Sequence, residues 1–238
     1  MRILITGYKG FIGSYLFKKL DAIGLDIKDG HDLLTCELPD ADVVIHLAAN
    51  ASVVNSMEDP EYDVKCNILT TLRLLKRYPK AKFIFASSGG AIQDEIISVY
   101  GLSKLACENY IKLLHDNYVI LRFSNIFGKG GHGVIEKFIE GMPTIYGDGS
   151  ASRDYVHVED ITDGIVKALE WEKGLYLMGG GTQATVKELA EATGKKITYE
   201  DSRIGEVLNS FVKNTTPDWK PTINAIDYVK NSCSLSRI

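Results

Sequence analysis

The sequence predicts an α/β protein: a doubly wound parallel sheet with helices on both faces and a small C-terminal lobe interleaved with it. Three observations carry that prediction. Short, branched, apolar runs alternate with segments of helical spacing through the first half of the chain. A glycine-rich turn, Gly7-Tyr8-Lys9-Gly10-Phe11-Ile12-Gly13, joins the first apolar run to the first helical segment. Beyond about residue 128 the alternation loosens into glycine-rich loops.

Taken in order, Arg2–Thr6, Asp42–Ala48, Lys82–Ala86 and Tyr118–Phe123 read as strands. Each is apolar throughout rather than alternating, as expected of parallel strands covered on both faces. Phe11–Leu20, roughly Met57–Tyr78 and Val99–His115 carry helical spacing between them, with right-handed crossovers expected. Leu25–Leu34 is cramped, with room for two very short strands, so Ser88 is expected to end the fifth strand. Further on, a helix near Asp160–Glu172, a strand at Leu175–Met178 and a helix near Val186–Thr193 suit a smaller lobe.

A chain of 238 residues fits one large domain or a domain with a lobe attached. The net charge of −4 offers no basic footprint, so nucleic acid is not an expected partner. No apolar run approaches the roughly 20 residues that span a bilayer, and the opening MRILITG is too short for a secretory leader. Cys36, Cys66, Cys107 and Cys233 have neither a Cys-x-x-Cys spacing nor a compact framework. They read as reduced, buried structural thiols of a cytoplasmic protein. No His/Cys cluster suggests a metal.

The glycine turn has the spacing Gly-x-x-Gly-x-x-Gly. Placed between a strand and a helix, it lets backbone approach a pyrophosphate and aims free helix N–H groups at it. Asp26, 19 residues after Gly7, is placed to accept ribose hydroxyls and to repel a 2′-phosphate, which favours NAD over NADP. The alternative is a turn aspartate, since Ile27-Lys28-Asp29-Gly30 follows at once. Asp32 and Leu33 are candidates for the adenine end, with a solvated loop acid as the alternative for Asp32.

Three Tyr-x-x-x-Lys pairs occur: Tyr15/Lys19, Tyr78/Lys82 and Tyr100/Lys104. The spacing places each pair on one helix face. A phenol titrates near pH ~10, and a fixed ammonium beside it, with an oxidised nicotinamide ring, favours the phenolate. Only Tyr100/Lys104 has a fitting context, because Ser88 ends a strand at the carboxyl edge of the sheet, where ligands bind. Tyr15/Lys19 sits on the helix of the glycine turn, and Tyr78/Lys82 straddles Pro79.

These motifs together resemble the extended short-chain dehydrogenase/reductases, specifically the NAD-dependent epimerase/dehydratase group acting on sugar nucleotides. The resemblance runs through ITGYKGFIG, VIHLAA, NILTTLRLL, FASSGGAI, YGLSK, LRFSNIFG, GDGSASRDYVHVED and WKP. It implies a Rossmann-type fold, with residues 1–128 mainly binding NAD and residues 129–238 mainly forming the substrate lobe. It implies Ser88, Tyr100 and Lys104 as the catalytic group, with Lys104 also holding the nicotinamide ribose. NAD would contact Gly7, Gly10, Phe11, Ile12, Gly13, Asp26, Asp32, Leu33, Leu47, Ala48, Ala49, Tyr100 and Lys104. The nucleotide sugar, expected to be UDP-linked, would contact Ser88, Asn125 and Arg153, the last gripping the diphosphate unless it merely pairs with Asp154. His46 and His157 read as structural, and helices near Met57–Tyr78 and Val99–His115 are where a homodimer would pack.

The reaction follows from what stands beside Ser88. Dehydratases of this group carry an acidic pair there, decarboxylases a carboxylate and 3,5-epimerases a cysteine, whereas this chain has Gly89 and Gly90. With no extra acid or base, the implied outcome is 4-epimerisation through a transient 4-keto sugar. A 4-keto-sugar reductase using NAD(P)H and a non-catalytic dinucleotide sensor are the alternatives. The stretch from Ser88 to Tyr100 is abbreviated, with Gln93-Asp94 where Tyr-Gly usually stands, so a reduced wall around the sugar is expected.

Overall fold

The computed structural model describes residues 1–91, 98–181, 183–202 and 209–235. The chain forms two compact units, Met1–Arg122 with Thr162–Tyr176 and Phe123–Ile161 with Leu177–Ile238. Its strands and helices in the first half are β1 (Ile3–Thr6), α1 (Phe11–Leu16), β2 (Ile23–Leu25), β3 (Val43–His46), α2 (Val53–Glu58), α3 (Pro60–Val64), α4 (Thr70–Arg77), β4 (Lys82–Ser88), α5 (Val99–Leu114) and β5 (Tyr118–Phe123). There follow β6 (Asn125–Phe127), α6 (Val134–Glu140), β7 (Thr144–Tyr146), β8 (Ser152–His157), α7 (Val158–Lys167), β9 (Gly174–Met178), β10 (Gln183–Thr185), α8 (Val186–Ala192), β11 (Thr198–Glu200), β12 (Asn209–Ser210) and α9 (Ala225–Leu235).

The first unit is built on a six-stranded sheet in the order β2-β1-β3-β4-β5-β9. β1 pairs in parallel with β2 and β3, and β3 in parallel with β4. Every residue of β1 and β3 is buried, which is why both runs are apolar without alternation. Leu4, Val44, Phe83, Phe85 and Ile120 from the strands pack with Leu74 and Ile111 from the helices. The second unit joins β6 and β12 in parallel, and β10 antiparallel, to β8. Its core gathers Phe127, Ile135, Phe138, Ile145, Leu189 and Val229. Trp219 of the WKP run donates its indole N–H to the Asp160 carbonyl at 2.7 Å, and the Asp160 carboxylate accepts the Thr222 and Ile223 amides, both at 3.0 Å.

Several expectations need correction. Leu25–Leu34 does not hold two strands: β2 ends at Leu25, and Asp26 caps a 3-10 turn over Ile27–Asp29. Asp32 then closes a further turn by accepting the Thr35 and Cys36 amides on its carbonyl. Ser88 therefore ends the fourth strand in chain order. The helix expected over Met57–Tyr78 is broken into α2, α3, a π turn over Lys65–Leu69 and α4. The break has a local cause: Pro60 lacks an amide donor and pushes Asp59 to φ −134°, and the Asp59 carboxylate then caps α3 through the Tyr62 amide. α1 stops at Leu16, short of the expected Leu20. The region beyond residue 128 also holds more regular structure than its glycines suggest, in strands of two to six residues. Gln93 and Asp94 lie outside the described residues.

Candidate active site

The glycine turn leaves β1 with Gly7 at φ +74°, a left-handed conformation that favours glycine. A Cβ on Gly13 would lie 2.2 Å from the Gly7 carbonyl oxygen, so α1 can approach the turn this closely only without a side chain there. Asp26 then fastens the turn. It is buried, and its carboxylate accepts the Lys9 amide and the Lys28 amide, each at 2.9 Å. A carboxylate has about four acceptor sites, so these two bonds leave capacity for further donors.

Beside the turn lies a cavity of about 420 Å³. Of the residues expected to hold a dinucleotide, Gly7, Gly10, Asp26, Asp32, Leu33, Leu47, Ala48 and Ala49 line it. Phe11, Ile12 and Gly13 stand in the first turn of α1 and are not among its lining residues, nor are Tyr100 and Lys104. Sequence reasoning missed Asn50, Tyr62, Cys66 and Thr70, which also line it. Arg73 holds the Leu33–Cys36 loop by donating to both the Leu33 and Cys36 carbonyls. Asp26 is a turn residue, and it also lines the cavity.

Ser88 and Tyr100 hydrogen-bond through their side chains. The Lys104 ammonium donates to the Ala86 carbonyl at 2.8 Å and lies 5.8 Å from the Tyr100 ring centroid. The structure therefore brings the three candidate catalytic residues together at the carboxyl end of β4. The other two pairs are committed elsewhere. Tyr78 donates its hydroxyl to the Pro39 carbonyl, Lys82 donates to the Leu169 and Trp171 carbonyls, and Lys19 pairs with Asp163.

The electrostatics differ from the simple expectation. Burial pushes the Tyr100 phenol up to about 12, while the Ser88 hydrogen bond draws it down by less. Burial lowers the Lys104 ammonium to about 8. The ammonium is close, yet the dry surroundings outweigh it, and the protein's own groups leave Tyr100 a phenol.

Three supports of this group were not visible in the sequence. Ser56 on α2 accepts the Tyr100 amide at 3.1 Å, and Ser98 caps α5 through the Gly101 amide. One turn further along α5, Glu108 is fully buried and takes two bonds from Arg122, each 2.7 Å, with a third from Ser87 at 2.6 Å. That network ties the residue before Ser88 to the helix of Lys104. Ser56 is 44 residues from Tyr100 and Ser87 is 21 from Glu108, so no local spacing carries a signal of these contacts.

His46 is buried at the end of β3, burial driving its pKa down to about 3. Thr71 donates its hydroxyl to the Asn67 carbonyl, so it accepts from His46 Nε2, and Thr6 donates to His46 Nδ1 at 2.7 Å. Thr6 also accepts the Ala48 amide, which makes His46 a brace for the cavity wall. In the second unit, the register sets Asn125 opposite Tyr155, two residues from Arg153 on β8, so both stand on one face of that sheet. The Asn125 amide donates to the Asp154 carbonyl at 3.0 Å. Asp154 accepts the Gly180 amide at 2.8 Å, and the Arg153 guanidinium donates to the Ser152 carbonyl at 3.1 Å. His157 lies between the Phe127 and Tyr228 rings, each at 5.1 Å. Among the described residues no group of ligating side chains could hold a metal, and the four cysteines are free, with Cys36 and Cys66 only half-buried.

A tyrosine and lysine set on one helix, facing a strand-end serine on a sheet whose first turn is built of glycines, mark the short-chain dehydrogenase/reductase class. Within that class the chain belongs to the NAD dependent epimerase/dehydratase family, whose pattern it matches over residues 3–179. It is 34% identical to a Methanocaldococcus jannaschii protein provisionally named UDP-glucose 4-epimerase, covering 96% of each chain. That alignment is 292 positions long against the 238 residues present, so the relative carries residues at more than fifty positions where this chain is gapped. The crystal structure of Thermotoga maritima UDP-glucose 4-epimerase with UDP-glucose superposes with a TM-score of 0.84 at 30% identity, covering 100% of this chain and 99% of that one. Bacillus cereus UDP-glucuronic acid 4-epimerase, in complex with UDP-glucuronic acid and NAD, superposes at 0.82 with 28% identity and the same coverage.

Proposed function

We propose that this chain is an NAD-dependent UDP-sugar 4-epimerase working through a transient 4-keto sugar. The observation that carries the reading is the Ser88–Tyr100–Lys104 group, intact at the strand edge with Lys104 buried and the other two half-buried, and with Gly89 and Gly90 in place of any further acid or base. The cavity beside the glycine turn suits a dinucleotide, since a Cβ on Gly7 would lie 2.7 Å from the Ala48 nitrogen that walls it. Asp26, Asp32 and the Leu47–Ala49 backbone would hold NAD there. Bound NAD+ supplies a hydride acceptor and a positive charge that favours the Tyr100 phenolate.

The residues of the chain do the rest. Tyr100 takes the proton from the sugar 4-hydroxyl, Ser88 shares that hydrogen bond, and Lys104 remains an ammonium that stabilises the phenolate. The proton returns from Tyr100 once the sugar has presented its other face. We assign cofactor binding to the first unit and substrate contacts to the second, where Asn125 and Arg153 are the residues for the phosphates; a guanidinium suits a diphosphate through paired hydrogen bonds.

We also infer a homodimer in the cytoplasm. Val53, Val54 and Met57 on α2 and Leu102, Tyr110 and Leu113 on α5 are exposed apolar side chains on contacting helices, which suits a covered face. A monomeric mass in solution scattering would remove the dimer. The activity itself is tested by proton NMR of UDP-sugars incubated with purified protein and no added cofactor. Interconversion of 4-epimers is expected; turnover only of a 4-keto sugar with NADH or NADPH would replace the epimerase by a reductase.

A further inference from the structure

The mechanism above does not use Asp63, although its carboxylate is completely buried on α3. Its donors are all neutral. Oδ1 accepts from the Asn50 side chain at 3.1 Å and the Asn67 side chain at 2.9 Å, and Oδ2 accepts from the Ser103 hydroxyl. Three donors and no acceptor around it match the ionised, acceptor-only form of the side chain. Asn50 lines the cavity, and its backbone is clamped to Asn67 in both directions, at 2.9 and 3.2 Å. Ser103 precedes Lys104 on α5.

We propose that Asp63 is a positioning residue: it ties the cavity wall at Asn50 to the α5 turn carrying Tyr100 and Lys104, and its negative charge holds that pair in the fully protonated resting form. The proposal rests on the reading of Tyr100 and Lys104 as the working pair. The titratable groups that face the turn are Asp63 from α3, His46 from β3, and Cys107 and Glu108 from α5 itself. His46 is neutral above about pH 3, and the Glu108 charge is offset by the bidentate Arg122. Asp63 has no such cation donating to it. In agreement, its field raises both the Tyr100 phenol and the Lys104 ammonium, opposing loss of a proton from either.

Activity alone cannot isolate the effect, because Asp63→Asn eases ionisation of Tyr100 while it discharges Lys104. The test is therefore lysine side-chain ¹⁵N NMR, with the Lys104 signal assigned by its loss in Lys104→Met. Wild type is expected to titrate near 8, and Asp63→Asn about one pH unit lower. The ammonium fraction at pH 8 would then fall about five-fold. An unchanged Lys104 midpoint in Asp63→Asn overturns the proposal. Should that variant fail to fold, ¹³C carboxyl NMR of the wild type decides: Asp63 must be ionised at pH 7, and a protonated Asp63 overturns the proposal equally. Both readouts are independent of turnover. A shifted Lys104 midpoint in a protein that interconverts no sugar nucleotide would sink the epimerase and leave the role of Asp63 standing.

Discussion

Lys104→Met is expected to abolish turnover and yet make the protein more stable. Lys104 is 3% exposed, its ammonium has the Ala86 carbonyl as acceptor, and its chain lies over the Phe85 ring, 4.7 Å from the centroid. Burial lowers its pKa from 10.5 to about 8 despite the favourable fields of Asp63 and Glu108. At roughly 1.4 kcal/mol per pH unit, keeping the ammonium there at pH 7 costs about 3 kcal/mol. Methionine has a similar unbranched reach and no charge. It forfeits one hydrogen bond at Ala86, about 1 kcal/mol, so the net gain at pH 7 is about 2 kcal/mol.

The pH dependence is the sharper test. Because the folded-state pKa lies below the unfolded value, the unfolded chain binds more protons between about 8 and 10.5, and wild-type stability rises with pH in that window. The penalty is complete below pH 8 and withdrawn towards 10.5. By pH 9.5 it has fallen to under half, and the advantage of the variant to below about 1 kcal/mol. Urea denaturation of both proteins at pH 7 and 9.5, followed by far-UV circular dichroism, measures this. A variant less stable than wild type at pH 7, or one whose advantage is equal at both pH values, would refute the reasoning.

Four further outcomes are expected. Tyr100→Phe should lower kcat for UDP-galactose/UDP-glucose interconversion by roughly 10²–10⁴-fold with little change in melting temperature, by coupled assay and calorimetry. Glu108→Ala leaves the Arg122 guanidinium, whose side chain is 15% exposed, without its carboxylate, so urea denaturation should show a loss of about 3 kcal/mol, the lower end for a buried pair. His46, neutral when folded and with a pKa of about 3, makes wild-type stability fall as pH drops below 6.5, by about 2 kcal/mol at pH 5; His46→Asn should flatten that part of the stability curve. Gly13→Ala places a methyl 2.2 Å from the Gly7 carbonyl oxygen, and protein purified with this change should release no NAD on acid denaturation where wild type does.

How much of this was legible beforehand depends on the range over which each feature is determined. The glycine turn, the strand before it and the Tyr100–Lys104 pair are local: their residues lie within a few positions of one another, and the spacing alone sets which face they share. β1, β3, β4 and β5 were legible because burial makes them largely apolar without alternation, whereas the three-residue β2, with Ile23 exposed, was not. The second unit was not, since strands such as β10 and β12 have three and two residues and acquire their register only by pairing with β8. Strands that short carry no periodicity to read.

The polar supports of the site were hidden for a related reason. Ser56 and Asp63 stand amid exposed neighbours on two short helices, Val54 at 65% and Tyr62 at 52%, and a lone serine or aspartate in such company reads as solvated. Their burial is imposed by α5 packing across them. Tyr100 shows the same dependence: its spacing from Lys104 suggested a lowered pKa, whereas the packed site raises it to about 12. Going from 10 to 12 sets roughly 3 kcal/mol against ionisation. Under the proposed mechanism, a base held protonated in this way has to be tipped by a further positive charge, which would confine proton abstraction to the state in which the oxidised cofactor is bound. Burial at Tyr100 and the charge at Asp63 act in the same direction, and together they make the resting site inert.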